Sequence, residues 1–200
     1  MTPREVRACF FGDSFVAGVG DPHHVGWVGR VAAGVEVRGV AVTGYNLGIR
    51  LNTSADVRTR WRREAEPRFP VGCDNRLVLS FGVNDTTARE GGTRIAPADS
   101  IENLTSILEE ATTWGWPVLV VGPAPIGDDQ QNARTAALND RFADVCQRHG
   151  VPYVEVFHQL DRDPVWSEEV RAGDGAHPAA AGYQRLAEIV FDPWATWLSR

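Results

Sequence analysis

Val6-Arg7-Ala8-Cys9-Phe10-Phe11-Gly12-Asp13-Ser14-Phe15-Val16-Ala17-Gly18-Val19-Gly20 is the stretch that decides the fold. An apolar, strand-like run stops at a Gly-Asp-Ser turn and passes into small residues. That order holds one serine hydroxyl at the C-terminal edge of a sheet, beside the start of a helix. Ligands of open α/β sheets bind at that edge. A serine hydroxyl is a weak nucleophile until a base takes its proton. The candidate base lies at the other end of the chain, in Asp174-Gly175-Ala176-His177-Pro178. Read alone, the motif is more simply a turn with Ser14 as an ordinary helix cap.

Outward from this stretch, strand-like and helix-like segments alternate. Strands are expected at 6–11, 37–46, 76–81, 117–121 and 152–157, and helices at 26–33, 54–66, 97–114, 132–149 and 178–194. Thr53 or Ser54 can cap the second helix, Pro97 opens the third, and Gly150 stands where a left-handed C-terminal cap belongs. Pro178 is expected to start the last helix. Such alternation implies right-handed crossovers and a parallel sheet covered on both faces. The continuously apolar 77–79 and 118–121 fit strands buried on both sides. The expected architecture is α/β, a three-layer α/β/α sandwich with about five parallel strands. Its expected order is the flavodoxin-like 2-1-3-4-5, over one domain, 1–200.

Bulk properties narrow the function. The chain has 200 residues, 43% hydrophobic and 23% charged, with net charge −6. No global basic footprint marks a nucleic-acid partner. The basic stretch 58–63 reads as the solvated face of a helix. No apolar run approaches the ~20 residues of a membrane span, and the N-terminus carries no signal-like stretch. A cytoplasmic location is therefore expected. Cys9, Cys73 and Cys146 are odd in number and widely spaced, which fits reduced thiols better than disulfides or zinc.

The segments after each expected strand share one edge. Gly48 lets a backbone N–H approach a ligand closely. Asn84, in Gly82-Val83-Asn84-Asp85, has an amide able to donate to a developing oxyanion. Asp85 is expected to tie down its loop. Asp174 can fold back on His177 Nδ1 and leave Nε2 free for the serine proton. Each part alone is a common turn or cap. Together they place a nucleophile, backbone and amide donors, and an acid–base pair on one edge in order.

In these four blocks the chain resembles the GDSL, or SGNH, hydrolase family. Gly12-Asp13-Ser14 matches the first block, with Phe15 where leucine is usual. Gly48 in Asn46-Leu47-Gly48 matches the second, Gly82-Val83-Asn84-Asp85 the third and Asp174-Gly175-Ala176-His177 the last. Locally, 12–20 and 45–54 resemble small bacterial acylhydrolases. The resemblance implies Ser14 as nucleophile, His177 as general base and then acid, and Asp174 as its orienter. It implies an oxyanion hole of the Ser14 N–H, the Gly48 N–H and the Asn84 amide. It implies two-step hydrolysis of a small-molecule ester, with no metal and no cofactor. Asp13 is assigned to hydrogen bonding within the loop, because adjacent side chains on a turning chain point apart.

Other polar and aromatic candidates are weaker. Arg50 is a possible contact for an anionic or polar part of a substrate, and Trp27 and Trp166 are possible walls of an acyl pocket. Trp194 and Trp197 are expected to pack on the core or an end face. His23 and His24 are expected at a rim or surface, and no second cluster makes them metal ligands. The alternative function is a non-catalytic ligand- or carbohydrate-binding module that keeps the hydrolase fold. A nucleotide site is disfavoured, because Gly18-Val19-Gly20 lacks the full phosphate-binding pattern.

Overall fold

A computed structural model of the chain describes residues 4–34 and 40–200. Residues 1–3, and 37–39 of the expected second strand, lie outside the described residues. The central sheet has five strands: β1 (Arg4–Gly12), β2 (Val40–Gly48), β3 (Asp74–Ser80), β4 (Val118–Val121) and β5 (Tyr153–Val154). All pair in parallel, as the alternation of elements implied, and in the expected flavodoxin-like order β2-β1-β3-β4-β5. A short antiparallel hairpin, Ala88–Arg89 with Gly92–Thr93, stands apart from it.

Successive residues of a strand face opposite sides, so β1 feeds two cores. Ala8 and Phe10 join the cluster under α2 (Gly26–Gly34), α7 (Pro164–Ala172) and α8 (Ala180–Leu198). Cys9 and Phe11 join the cluster under α3 (Ser54–Ala65), α4 (Pro97–Thr113) and α5 (Asp129–His149). Phe10 sits 5.9 Å from Trp27 and 5.3 Å from Trp194 between ring centroids. Such aromatic pairs contribute ~0.5–1.5 kcal/mol each beyond their buried area.

Local sequence explains most element ends. Thr53 and Asp56 form a reciprocal capping box at α3, and Asp128 caps α5 by accepting from the Gln131 N–H at 2.9 Å. Gly150 closes α5 in the left-handed region, at φ 64°. The Asp128 cap starts α5 three residues earlier than the expected 132. Pro178 does not start the last helix: α8 begins at Ala180, and its free N–H groups at Ala181 and Gly182 donate to the Glu169 carboxylate of α7. A capping group from a distant helix has no local sequence signal.

Two helices were not expected, and a short one stands where the serine turn pointed to a helix start. α1 (Ser14–Ala17) follows β1 directly. α6 (Phe157–Asp161) and α7 replace the end of the expected fifth strand and the loop after it. Asp163-Pro164 is a readable start for α7, since Asp163 accepts from the Val165 and Trp166 N–H groups. The Arg4 and Arg76 guanidinium groups bond the carbonyls of Leu198 and Trp197. They pin the end of α8 beneath the sheet, while its start lies at the opposite, carboxyl edge. Among the described residues, no helix is long and apolar enough to cross a membrane.

Burial pushes the Cys9 and Cys146 thiols up to about 12, whereas Cys73 is only half-buried. Iodoacetamide should therefore alkylate Cys73 alone in the folded protein at neutral pH. Mass spectrometry should find Cys9 and Cys146 modified only after denaturant, because their thiolate fractions and access are both negligible when folded.

Candidate active site

β1 delivers Ser14 to the carboxyl edge of the sheet at the first position of α1, where a backbone N–H has no intrahelical acceptor. Ser14 Oγ lies 2.7 Å from His177 Nε2, and His177 Nδ1 lies 2.8 Å from Asp174 Oδ2. The other Asp174 oxygen accepts from the Ala176 and His177 N–H groups at 3.0 and 2.9 Å. The Asp-Gly-Ala-His turn thus closes on itself, with Gly175 at φ 80°. Ser14 and His177 are both buried, and the Asp174 side chain is about half exposed, at 46%. Phe15 stacks 6.0 Å from Trp166 and stands 5.0 Å from the His177 ring, backing the imidazole.

Two glycines make the serine turn possible. A Cβ on Gly12 would lie 1.9 Å from the Ser80 carbonyl oxygen, and one on Gly48 would lie 2.2 Å from the Ala17 nitrogen. The ends of β2 and β3 therefore close against the turn only because both positions lack side chains. Asp13 caps α1, accepting from the Phe15 N–H at 2.9 Å, in keeping with a role inside the loop.

The three groups expected as oxyanion donors border this turn, and two of them have protein partners. The Asn84 amide donates to the Asn52 carbonyl at 3.0 Å and approaches Asp13 Oδ2 at 3.5 Å. The Gly48 N–H donates to Asn46 Oδ1 at 3.0 Å, while the Asn46 amide holds the Val16 carbonyl at 2.7 Å. Asp85 ties the loop as expected, accepting from the Ser54 N–H and the Ser100 hydroxyl at 2.8 and 2.7 Å.

Burial acts on the carboxyls differently. Asp174 is pushed up by burial, but the His177 and Ala176 hydrogen bonds outweigh this and bring it to about 2. Its carboxylate is available to a charged imidazole across the neutral range. Asp13 is pushed up to about 7, chiefly by burial and partly by Asp85, against the Phe15 hydrogen bond.

The remaining sequence candidates divide. Arg50 is exposed, with Nη2 3.6 Å from Asp174 Oδ2, and lines an open cleft of about 460 Å³ with His177 and Glu169. Trp166 lines a second cleft of about 450 Å³ on the other side of the 173–177 turn, its Nε1–H donating to the Pro125 carbonyl. Trp27 walls neither cleft. It is fully buried between β1 and α8, because its ring fills the core beside Phe10. His23 and His24 are exposed, Trp194 and Trp197 are core, and no acid, cysteine or histidine group among the described residues has metal-binding geometry. The stretch 58–63 is solvated at Arg58, Arg62 and Arg63 but not at Arg60, which is buried at the carboxyl ends of β1 and β2. Helical spacing could have shown this: Val57, Arg60 and Trp61 share the inward face of α3.

A serine held by histidine at the carboxyl edge of a 2-1-3-4-5 sheet has the architecture of the SGNH hydrolases. The chain belongs to the GDSL-like lipase/acylhydrolase family, whose model matches residues 10–185. A lipase/acylhydrolase from Enterococcus faecalis superposes with a TM-score of 0.74 at 25% identity, over 96% of each chain. TesA superposes with a TM-score of 0.74 at 26% identity, over 93% of this chain and 96% of that one. An acetylxylan esterase from Geobacillus stearothermophilus shares the fold, with a TM-score of 0.73 at 18% identity over 96% and 95% of the two chains. No curated protein matches the sequence significantly.

Two outcomes follow from this geometry. Gly48→Ala should lower stability by ~1–3 kcal/mol, measured by urea unfolding, because β2 must retreat from α1. Asp13→Asn keeps an oxygen for the Phe15 N–H and removes a buried ionisable group. The folded carboxyl binds its proton more tightly than the unfolded one, so native stability falls as pH rises from about 3.8 to about 7. Asp13→Asn should therefore stabilise the protein more at pH 8 than at pH 4, by on the order of 2–4 kcal/mol, in paired thermal melts.

Proposed function

We propose that this chain is a serine ester hydrolase that acts through an acyl-serine intermediate on short- to medium-chain esters. Membership of the acylhydrolase family and the SGNH fold support the reaction class. The observation that carries the reading is the line from Ser14 Oγ through His177 to Asp174, at 2.7 and 2.8 Å.

The mechanism follows from the hydrogen-bond roles. Asp174 accepts a hydrogen bond from the Nδ1–H of His177, which fixes the tautomer and leaves the Nε2 lone pair free for the Ser14 O–H. Oγ attacks the ester carbonyl carbon as its proton passes to Nε2. Asp174, held ionised, stabilises the imidazolium. The carbonyl oxygen becomes an oxyanion held by the Ser14 N–H, the Gly48 N–H and the Asn84 amide. In the structure the Gly48 N–H donates to Asn46 Oδ1, a bond it would have to share with the oxyanion. Preorganised donors of this kind supply ~2.7–4 kcal/mol each in the transition state. Collapse breaks the C–O bond, Nε2 returns the proton to the leaving alkoxide, and water repeats the sequence on the acyl-serine. In this reading one domain, 1–200, carries the whole site, and the substrate is a small-molecule ester entering by the open clefts beside the 173–177 turn.

Initial rates on p-nitrophenyl esters of two to twelve carbons test this. The parent should turn over, with its best rate at the short end, and Ser14→Ala should lose at least ~10³-fold in kcat. Asp174→Asn should lose ~10²–10⁴-fold, because the wrong histidine tautomer is then favoured. Asp13→Asn should lose far less. No turnover, together with failure of an organophosphonate to label Ser14, would favour the binding-module alternative.

A further inference from the structure

Arg134 and Arg141 stand two turns apart on one face of α5, with Ala137 and Leu138 between them. That face, the end of the hairpin and the start of α4 enclose a cleft of about 260 Å³. Neither the serine, histidine and aspartate of the candidate active site nor the expected oxyanion donors line it. It shares no residue with the two clefts beside the 173–177 turn.

The walls are apolar at Ile95, Pro97, Ala137 and Leu138. The three hydroxyls that reach the cleft are spent inside the protein. Thr86 donates to the Val83 carbonyl at 2.8 Å, Thr93 to the Ile95 carbonyl at 2.6 Å and Ser100 to Asp85 Oδ2 at 2.7 Å. The guanidinium groups still have donors to offer. Arg134 is tethered by Nε to the Thr86 carbonyl at 2.8 Å, and Arg141 is exposed at the rim. Among the described residues neither arginine forms an ion pair. No acidic side chain lines the cleft, in a chain whose net charge is −6. The clefts beside the 173–177 turn differ: one holds Asp129 and Asp161, the other Glu169 and Asp174.

We propose that this cleft is a second ligand site, for a medium-chain aliphatic carboxylate: the chain lies against Ile95, Ala137 and Leu138, and the carboxylate meets the guanidinium groups of Arg134 and Arg141. Apolar walls with a few placed polar groups are the usual make-up of a small-molecule site. The arginine fork matches a carboxylate in shape as well as charge. A cationic amphiphile is repelled here, and a small inorganic anion leaves the apolar walls wet. Hydrolysis of a medium-chain ester releases an ion of this class, so on the ester-hydrolase reading the site takes the enzyme's own product. The binding itself rests on the cleft alone.

Methyl NMR titration of the full chain with octanoate tests this. The Ile95 and Leu138 methyl signals should shift with a Kd below ~1 mM. Hexanoate should bind ~10-fold more weakly, having two fewer methylenes to bury. Arg141→Gln should weaken octanoate ~10-fold and leave the binding of octanol unchanged, because only the carboxylate uses that donor. Ala137→Phe should abolish the shifts by filling the cleft. Both substitutions are at exposed positions of α5, where the fold tolerates them. Silent Ile95 and Leu138 methyls at about 10 mM octanoate would overturn the proposal. So would equal affinity for octanol and octanoate, or the same shifts produced by inorganic phosphate. Octanoate shifts that disappear once an organophosphonate occupies Ser14 would place the ligand in the catalytic site and sink the second one. A protein that hydrolyses no ester yet shows the shifts would refute the ester-hydrolase reading and leave this site standing.

Discussion

The hydrogen bond between Ser14 Oγ and His177 Nε2 joins residues 163 positions apart, and the rest of the structure is arranged to bring its two ends together. One end is set by β1, which carries a short helix on its last residue. The other is set by α8, anchored at its far end by Arg4 and Arg76 and at its near end by Glu169. Loop 18–26 closes between them. Gly20 packs against His177 and Pro178, where a Cβ would lie 2.6 Å from the Pro178 carbonyl. Tyr183 of α8 donates to the Val19 carbonyl, and Asp21 gathers the His23 and Gly26 N–H groups with Arg30. The long closure is therefore held by many local bonds.

Polar groups are dense at this edge and sparse elsewhere in the core. Asp13, Asp85, Arg60, Asn103 and Ser100 are buried around the serine turn and α3. Asp85 and Asp13 are both pushed up by burial, so the edge is held against an electrostatic cost. The cost is met by hydrogen bonds that also set direction. Asp85 joins α3 to α4, Asn103 bonds Ser54, and Asn84 leans on Asn52. A purely apolar edge would pack as well but would not aim donors at a point in space.

Much of this was legible because the physics is local. The Gly-Asp-Ser turn, the Asp-Gly-Ala-His turn and the apolar runs at 77–79 and 118–121 each name their conformation within a few residues. The Thr53 cap of α3 and the Gly150 stop of α5 fell where expected, whereas the Asp128 and Asp163 caps start one helix earlier than expected and another where none was expected. The errors have equally definite causes. α8 begins two residues late because its cap comes from α7. Strand β5 is short because its pairing with β4 ends at Val154, and Glu155 then accepts from the His158 N–H as α6 begins. Arg60 was grouped with its solvated neighbours because charge outweighed helical phase in that reading.

Sequence alone determined the alternation of elements, the parallel pairing that alternation implies, and the identity of the residues at the carboxyl edge. Those properties follow from periodicity, turn chemistry and chain handedness, which act over short spans. Tertiary structure alone decided that Ser14 and His177 meet at hydrogen-bond distance, that Asn46 occupies the Gly48 N–H, that Trp27 fills core instead of walling a cleft, and that Arg60 turns inward to the strand ends. Each depends on which distant backbone atoms come within about 3 Å, the reach of a hydrogen bond. No short stretch of sequence specifies that, because it is set by the packing of both cores at once.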